Sequence, residues 1–419
     1  VPVLPRRVLI GIALFVLVYV VLDLNKLYAL RYGADQGTFL QFLADEARRG
    51  SSWNGAEWRP HLQMHGSWTL LALVPLVALW PRAETLLVVQ VLAVALAAIP
   101  IFAFARVCGA GTRGASAVAF AYLLSPFTQG FAYGEFSENV FVPLLAASGA
   151  LAVARRAVVP ALAIAALLAG IKEDEALFLV WFGAACAMWW DRRIGLGIVA
   201  LAIVDGLTFV LLERIHHVVP SIPGYQLAVD DPVQKMTFFV TLLATAAFAP
   251  LALGPRILLA APLVAELAFA KPWAYLMTRI GTHWTPPVFT AAILATAYVV
   301  ARRPAFARPV LVCGVLAALV LNDTALKPGR WPFLVDWTAY ERAYALRDAG
   351  RRIVVDRADE GVYAVAASNL NVVLSPRRDP ARPACPGYNR DAWAFFASLR
   401  WGAPPSGTTL CGGVPISRK

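Results

Sequence analysis

Up to residue 321 this chain is a succession of long apolar runs separated by short loops that hold pairs of arginines. That pattern constrains the fold more than any motif, because an apolar helix followed by a brief basic loop is how a chain threads a bilayer repeatedly. The composition agrees: of 419 residues, 59% are hydrophobic and 15% charged, against about a quarter charged in a soluble domain. Too little polar surface is present to cover water-soluble domains of this length. The sequence therefore predicts an all-α polytopic membrane protein whose main solvent partner is the lipid bilayer.

Eleven transmembrane helices are expected, near 8–24, 84–106, 115–133, 138–154, 157–171, 176–190, 194–212, 236–253, 257–270, 285–301 and 309–321. The first run follows Arg6 and Arg7 without a small-residue cleavage site, so it is expected to stay as a span. With the N-terminus cytoplasmic, the inner segments hold Arg106, Arg113, Arg155, Arg156, Arg192, Arg193, Arg256, Arg302, Arg303 and Arg308, with Asp191 as their one carboxylate. This is the positive-inside distribution. It also accounts for the net charge of +11 without nucleic acid, since no basic cluster carries interleaved aromatics.

On this topology the long loops face outward. Residues 25–66 form the first outer loop, with an amphipathic helix expected over 36–49. Segment 67–80 is apolar but short and contains Pro75, so it reads as a re-entrant or interface-lying helix. Residues 1–321 would thus be the transmembrane domain, and 322–419 a small extracytoplasmic α/β domain. In that tail, 340–350 is expected to be helical, and 352–356 and 370–374 to be short strands. Cys385 and Cys411 lie in its polar end, where an oxidising compartment would let them form a disulfide.

Ionisable residues gather in the outer loops. Asp35 lies in GADQGTF, His61 and His65 in HLQMH, Glu135 and Glu138 in YGEFSEN, and Lys172, Glu173, Asp174 and Glu175 between two apolar runs. Arg279 and His283 precede the tenth span. Carboxylates suit proton abstraction from a hydroxyl, and cations suit a phosphate group. His61 and His65 have the i,i+4 spacing of metal ligands but no HExxH pattern, which makes them weak metal candidates. Each of these residues also has a plainer reading as part of a solvated loop. Asp205 and Glu266 fall inside expected spans, where hydrogen bonding between helices is the favoured reading.

GADQGTFLQFL (33–43), MHGSWTLLALVPLVALWP (64–81), LLVVQVLAVALAAIPIFAFAR (86–106), LLSPFTQGFAYGEFSENVFVPLL (123–145), IKEDEALFLV (171–180) and THWTPPVFTAAI (282–293) together resemble the GT-C class of membrane glycosyltransferases. More closely they resemble the prokaryotic membrane-protein family called domain of unknown function 2079. The resemblance implies a GT-C-like fold in the prokaryotic plasma membrane. It also implies transfer of a sugar from a polyprenyl-phosphate carrier to an envelope glycan, lipid or protein acceptor on the extracytoplasmic face. By position Asp35 would be the acidic residue of the first outer loop, with Glu173 and Asp174 in support. His65, Glu135, Glu138, Lys172, Arg279 and His283 would contact substrate. Relatives carry a His in the segment matching 134–138, where this chain has GEFSE. A divalent cation is possible in the class, but no DxD stands here. Two alternatives remain open: a transporter or lipid-handling protein without covalent chemistry, and a catalytically silent envelope assembly protein.

Overall fold

A computed structural model describes residues 3–215, 231–269, 280–282, 284–321 and 332–375. Arg279, His283, Cys385 and Cys411 lie outside the described residues.

Helix α1 (Arg6–Tyr28) is followed by α2 (Ala34–Arg49), a hairpin of β1 (Trp53–Asn54) and β2 (Arg59–Pro60), and a 3-10 stretch Trp68–Leu73 leading into α3 (Val74–Leu79). Next come α4 (Ala83–Leu96), α5 (Ala98–Val107), α6 (Thr112–Leu124), α7 (Pro126–Tyr133), α8 (Val142–Ala154), α9 (Val158–Ala169), α10 (Glu173–Trp189) and α11 (Arg192–Ile215). Then α12 (Pro232–Thr245), α13 (Ala261–Phe269), α14 (Pro286–Arg302) and α15 (Ala307–Val320) complete the apolar part. The last described segment contains α16 (Trp337–Ala345), β3 (Ile353–Val355), α17 (Glu360–Ala366) and β4 (Val372–Leu374).

Among the described residues, four helical stretches are long and apolar enough to cross a membrane: Arg6–Tyr28, Ala83–Val107, Arg192–Leu212 and Ala249–Phe269. Several others, including Glu138–Ala154, Val158–Ala169 and Pro286–Arg302, are apolar but shorter. In α1, Val8, Ile12, Phe15, Tyr19 and Leu22 face the core at helical spacing, while Leu9, Leu14, Leu17 and Val21 are exposed. A helix apolar on its outer face as well as its inner one needs lipid, not water, around it.

Two expected spans are laid out differently. The run 115–133 is broken at Ser125, whose extended backbone ends α6 and caps α7 ahead of Pro126. The run 236–253 does not continue as a single helix: α12 stops at Thr245, and Ala247 and Phe248 take left-handed φ values of 51° and 54°. Two such residues in a row turn the chain before Pro250. The helical stretch that follows, Ala249–Phe269, is itself kinked at Gly254 (φ 60°) and contains Pro255.

The segment near 67–80 forms a 3-10 turn and one short helix. Trp68 donates from its indole nitrogen to Asp205 on α11 at 2.7 Å, and Thr69 binds the Leu167 and Gly170 carbonyls at the end of α9. Gly170 has no side chain because the Trp68 ring fills that space. Leu79 and Trp80 remain exposed.

The C-terminal segment shares a core with the first loop. Tyr363, Val372 and Leu374 belong to the same buried cluster as Leu40, Phe42 and Leu43 of α2. The strands β3 and β4 pair in parallel, with Ile353 opposite Val372. Asn25 at the end of α1 holds Phe333 at both its backbone groups, at 2.9 and 3.1 Å. The buried Gln41 of α2 joins three elements: its amide donates to the Asn369 and Val372 carbonyls, and its oxygen accepts from the Gly55 N–H and the Tyr363 hydroxyl. The expected helix near 340–350 begins earlier, at Trp337, because Asp336 caps it by accepting from the Ala339 N–H.

Candidate functional site

Helix α2 carries Asp35 in its first turn, next to the polar loop that follows α7. Gly33 precedes the helix and offers no capping side chain. The cap comes from elsewhere: the Glu135 carboxylate accepts from the Asp35 N–H at 3.2 Å, one hundred residues away in sequence. An anion at a helix N-terminus meets both free N–H groups and the positive end of the helix dipole. Glu135 lies in the extended stretch before the 3-10 turn Glu138–Phe141, so Glu135 and Glu138 do not share a helix face.

The next residue, Gln36, anchors this corner. Its amide donates to the Ala83 carbonyl at 3.2 Å, and its oxygen accepts from the Phe136 N–H at 3.1 Å. Loop 134–138 is thereby tied to α2 and to the start of α4.

Asp35 keeps solvent access although protein surrounds it. Burial, then the charges of Glu135, Glu138, Glu360 and Glu57, push its carboxyl up to about 7. Like charges around a partly desolvated acid hold its proton on. Glu57 comes from the β1–β2 hairpin and Glu360 from α17.

Two carboxylate–imidazole pairs lie alongside. Glu57 meets His61 Nδ1 at 3.1 Å, and Glu173 meets His65 Nδ1 at 3.2 Å. The two imidazole rings are 5.1 Å apart, and His61 stacks on Phe42 at 4.9 Å. Glu173 also accepts from the Gly66 N–H at 3.2 Å. Burial by itself would raise the Glu173 carboxyl, but the His65 hydrogen bond and charge, with Lys172, outweigh it and bring it down to about 2. The same pairing overcomes the effect of burial on His65 and raises its imidazole above the ordinary value. Glu57 is likewise lowered, because His61 and His65 outweigh its burial.

The four-residue run 172–175 is therefore not a plain solvated turn. Lys172 is buried, with its ammonium 3.8 Å from the Trp284 ring centre, a cation–π distance. Glu173 faces His65, and Asp174 hydrogen-bonds Glu266 on α13. Both carboxylates expected at membrane depth thus have partners on another element: Asp205 has Trp68 and Glu266 has Asp174.

Among the described residues no three of His, Cys, Asp and Glu stand close enough together to hold a metal ion. His61 and His65 each commit Nδ1 to a carboxylate.

Sequence reasoning singled out Asp35, His65, Glu135, Glu138, Lys172, Glu173 and Asp174; Glu135 bonds the Asp35 N–H and His65 bonds Glu173, while Glu138 is near enough for its charge to act on Asp35, His65 and Asp174. It did not single out Glu57, Gln36 or Glu360. Glu57 has a sequence signal in its i,i+4 relation to His61. Glu360 has none, since its nearness to Asp35 depends on how the C-terminal segment folds back.

Apolar helices long enough to span, set around a cluster of ionised loops, define a helical membrane protein. Residues 26–222 match the family model described as a predicted membrane protein (DUF2079), the family that the sequence resemblance indicated. No curated protein and no solved structure matches the chain.

Proposed function

We propose that this chain is an integral membrane glycosyltransferase that takes a sugar from a polyprenyl-phosphate carrier and passes it to a hydroxyl acceptor on the extracytoplasmic face. The observation that carries the reading is Asp35, an accessible carboxyl with a proton affinity near neutrality, surrounded by the carboxylates of Glu135, Glu138, Glu360 and Glu57. A base poised near the working pH is what proton abstraction from a hydroxyl calls for.

In this scheme Asp35 takes the acceptor proton as the acceptor oxygen bonds to the sugar's anomeric carbon. The bond from that carbon to the carrier phosphate breaks, and the lipid phosphate leaves with the electron pair. Lys172 and His65 supply positive charge toward the leaving phosphate, with Arg279 and His283 as further sequence candidates. Glu173 raises the proton affinity of His65 through their hydrogen bond and its charge. Glu138 and Asp174 would orient the acceptor and keep the local field acidic. A divalent cation, if bound, would offset the phosphate charge. The reading takes the N-terminus as cytoplasmic and the site, with the C-terminal segment, as outside, in keeping with the arginine-bearing loops.

The test is binding and transfer in nanodiscs. Purified protein is titrated with a polyprenyl phosphate and with its sugar-loaded form, for the wild type, Asp35→Asn and Lys172→Gln. The reading expects saturable binding of both lipids, weakened by Lys172→Gln and retained by Asp35→Asn. Absence of binding of either lipid would refute it and turn attention to transport or assembly.

A further inference from the structure

Gly33, Asp35 and Glu135 form a contact that the function proposed above does not require but that bears on it. The N-terminus of α2 has no cap of its own, and the Glu135 carboxylate fills that role at 3.2 Å from the Asp35 nitrogen. The same carboxylate lies so close to Gly33 that a Cβ at residue 33 would overlap it. The loop bearing Glu135 is held on both sides: Phe136 is bonded to Gln36, and the Tyr133 carbonyl accepts from the Lys26 ammonium at 2.9 Å. Glu135 is therefore fixed in place instead of being free to follow a substrate.

We propose that Glu135 is a positioning residue for Asp35: its carboxylate caps helix α2 from a separate loop and sets the electrostatics that the Asp35 side chain meets. Two acids in one corner then divide the work. Glu135 is committed to the helix N-terminus, and Asp35 keeps a proton that it can exchange. The other charged groups around Asp35 are Glu57 from the hairpin, Glu138 from the 3-10 turn and Glu360 from α17. Lys26 is the cation bonded to the same loop.

The inference rests on reading Asp35 as the reactive carboxyl, but its test reads Asp35 directly. A failed transfer assay and a failed titration are thus separate results. Full-length protein in nanodiscs is treated with a water-soluble carbodiimide and an amine across pH 4 to 9, and the peptide holding Asp35 is quantified by mass spectrometry. Only the protonated carboxyl activates, so the labelling midpoint reports the proton on Asp35. The wild-type midpoint is expected near 7. Glu135→Gln keeps an oxygen for the Asp35 N–H but removes the charge, and should lower the midpoint by about one pH unit. Glu360→Gln, which does not cap the helix, should lower it by less. Gly33→Ala, which displaces the carboxylate, should reproduce the Glu135→Gln shift, and Glu135→Asp should fall between that variant and wild type. Each variant is accompanied by a melting curve to show that it is folded. A wild-type midpoint near 4, or one that Glu135→Gln leaves unmoved in folded protein, would overturn the proposal.

Discussion

Replacing Gln41 by Leu should release the C-terminal segment from the first loop. Leucine nearly conserves the volume, so the change tests hydrogen bonding and not a cavity. The four bonds lost are those to the Asn369 carbonyl (2.9 Å), the Val372 carbonyl (2.8 Å), the Gly55 N–H (2.5 Å) and the Tyr363 hydroxyl (2.9 Å). All four are buried and short, so little water competes for them. At ~1 kcal/mol net for each bond the sum is roughly 4 kcal/mol, or about a thousandfold in the ratio of docked to undocked segment. Hydrogen exchange read by mass spectrometry in nanodiscs gives this ratio directly, through amides such as that of Leu374, which donates to the Gly55 carbonyl at 3.0 Å. The segment 360–374 should lose protection while α4 and α5 keep theirs. Wild-type exchange across 360–374 in the Leu variant would show that apolar packing alone docks the segment, and that the role given to Gln41 is wrong.

The His65–Glu173 pair should stabilise the fold in a bounded pH window. The raised His65 contributes below its ordinary value of 6.5 and loses its contribution as pH rises through the folded value; the lowered Glu173 contributes above 4.5 and fades as pH falls toward about 2. The Tm difference between wild type and His65→Gln should therefore be largest near pH 5 to 6, and a difference independent of pH would contradict the pairing. Because both side chains are partly exposed, at 24% and 14%, the effect should be modest and reduced by salt. Gly170→Ala places a Cβ against the Trp68 ring and should destabilise by about 1–3 kcal/mol, with a change in tryptophan fluorescence; unchanged Tm and emission would refute the contact. Tyr340→Phe removes the 2.9 Å bond to Glu84 and should cost about 1 kcal/mol in thermal or denaturant unfolding.

Much of the helical layout was legible because apolar length and Arg placement are local signals. The buried face of α1 was not legible, because Leu9, Leu14, Leu17 and Val21 on its exposed side are as apolar as Val8, Ile12, Phe15, Tyr19 and Leu22 on its buried side. The strands near 353 and 372 were legible as short β-branched runs with a polar boundary. The turn at Ala247 and Phe248 was not, since neither residue announces a left-handed backbone and the tertiary packing imposes it. The candidate residues stood out singly in the sequence, and their partners did not. Glu173 stood out as one of four ionisable residues where a cheap turn was expected, but its partner lies 108 residues earlier. Glu135 stood out as a candidate for substrate contact, whereas the structure commits its carboxylate to the N-terminus of α2. No one-dimensional pattern brings Glu360 to Asp35 or Asn25 to Phe333, because those pairings arise when the C-terminal segment closes on the first loop.

The most direct measurement is the pH dependence of sugar transfer by purified protein in nanodiscs, with a sugar-loaded polyprenyl phosphate as donor and an envelope glycan fraction as acceptor. The account predicts loss of sugar from the carrier at a rate that rises with pH through about 7, as Asp35 gives up its proton. Asp35→Asn should bind donor normally and transfer at least a hundredfold more slowly, an effect on the order of that expected for removing a general base. Full transfer activity in a folded Asp35→Asn variant, or a wild-type rate that does not change between pH 5 and 8, would contradict the central claim.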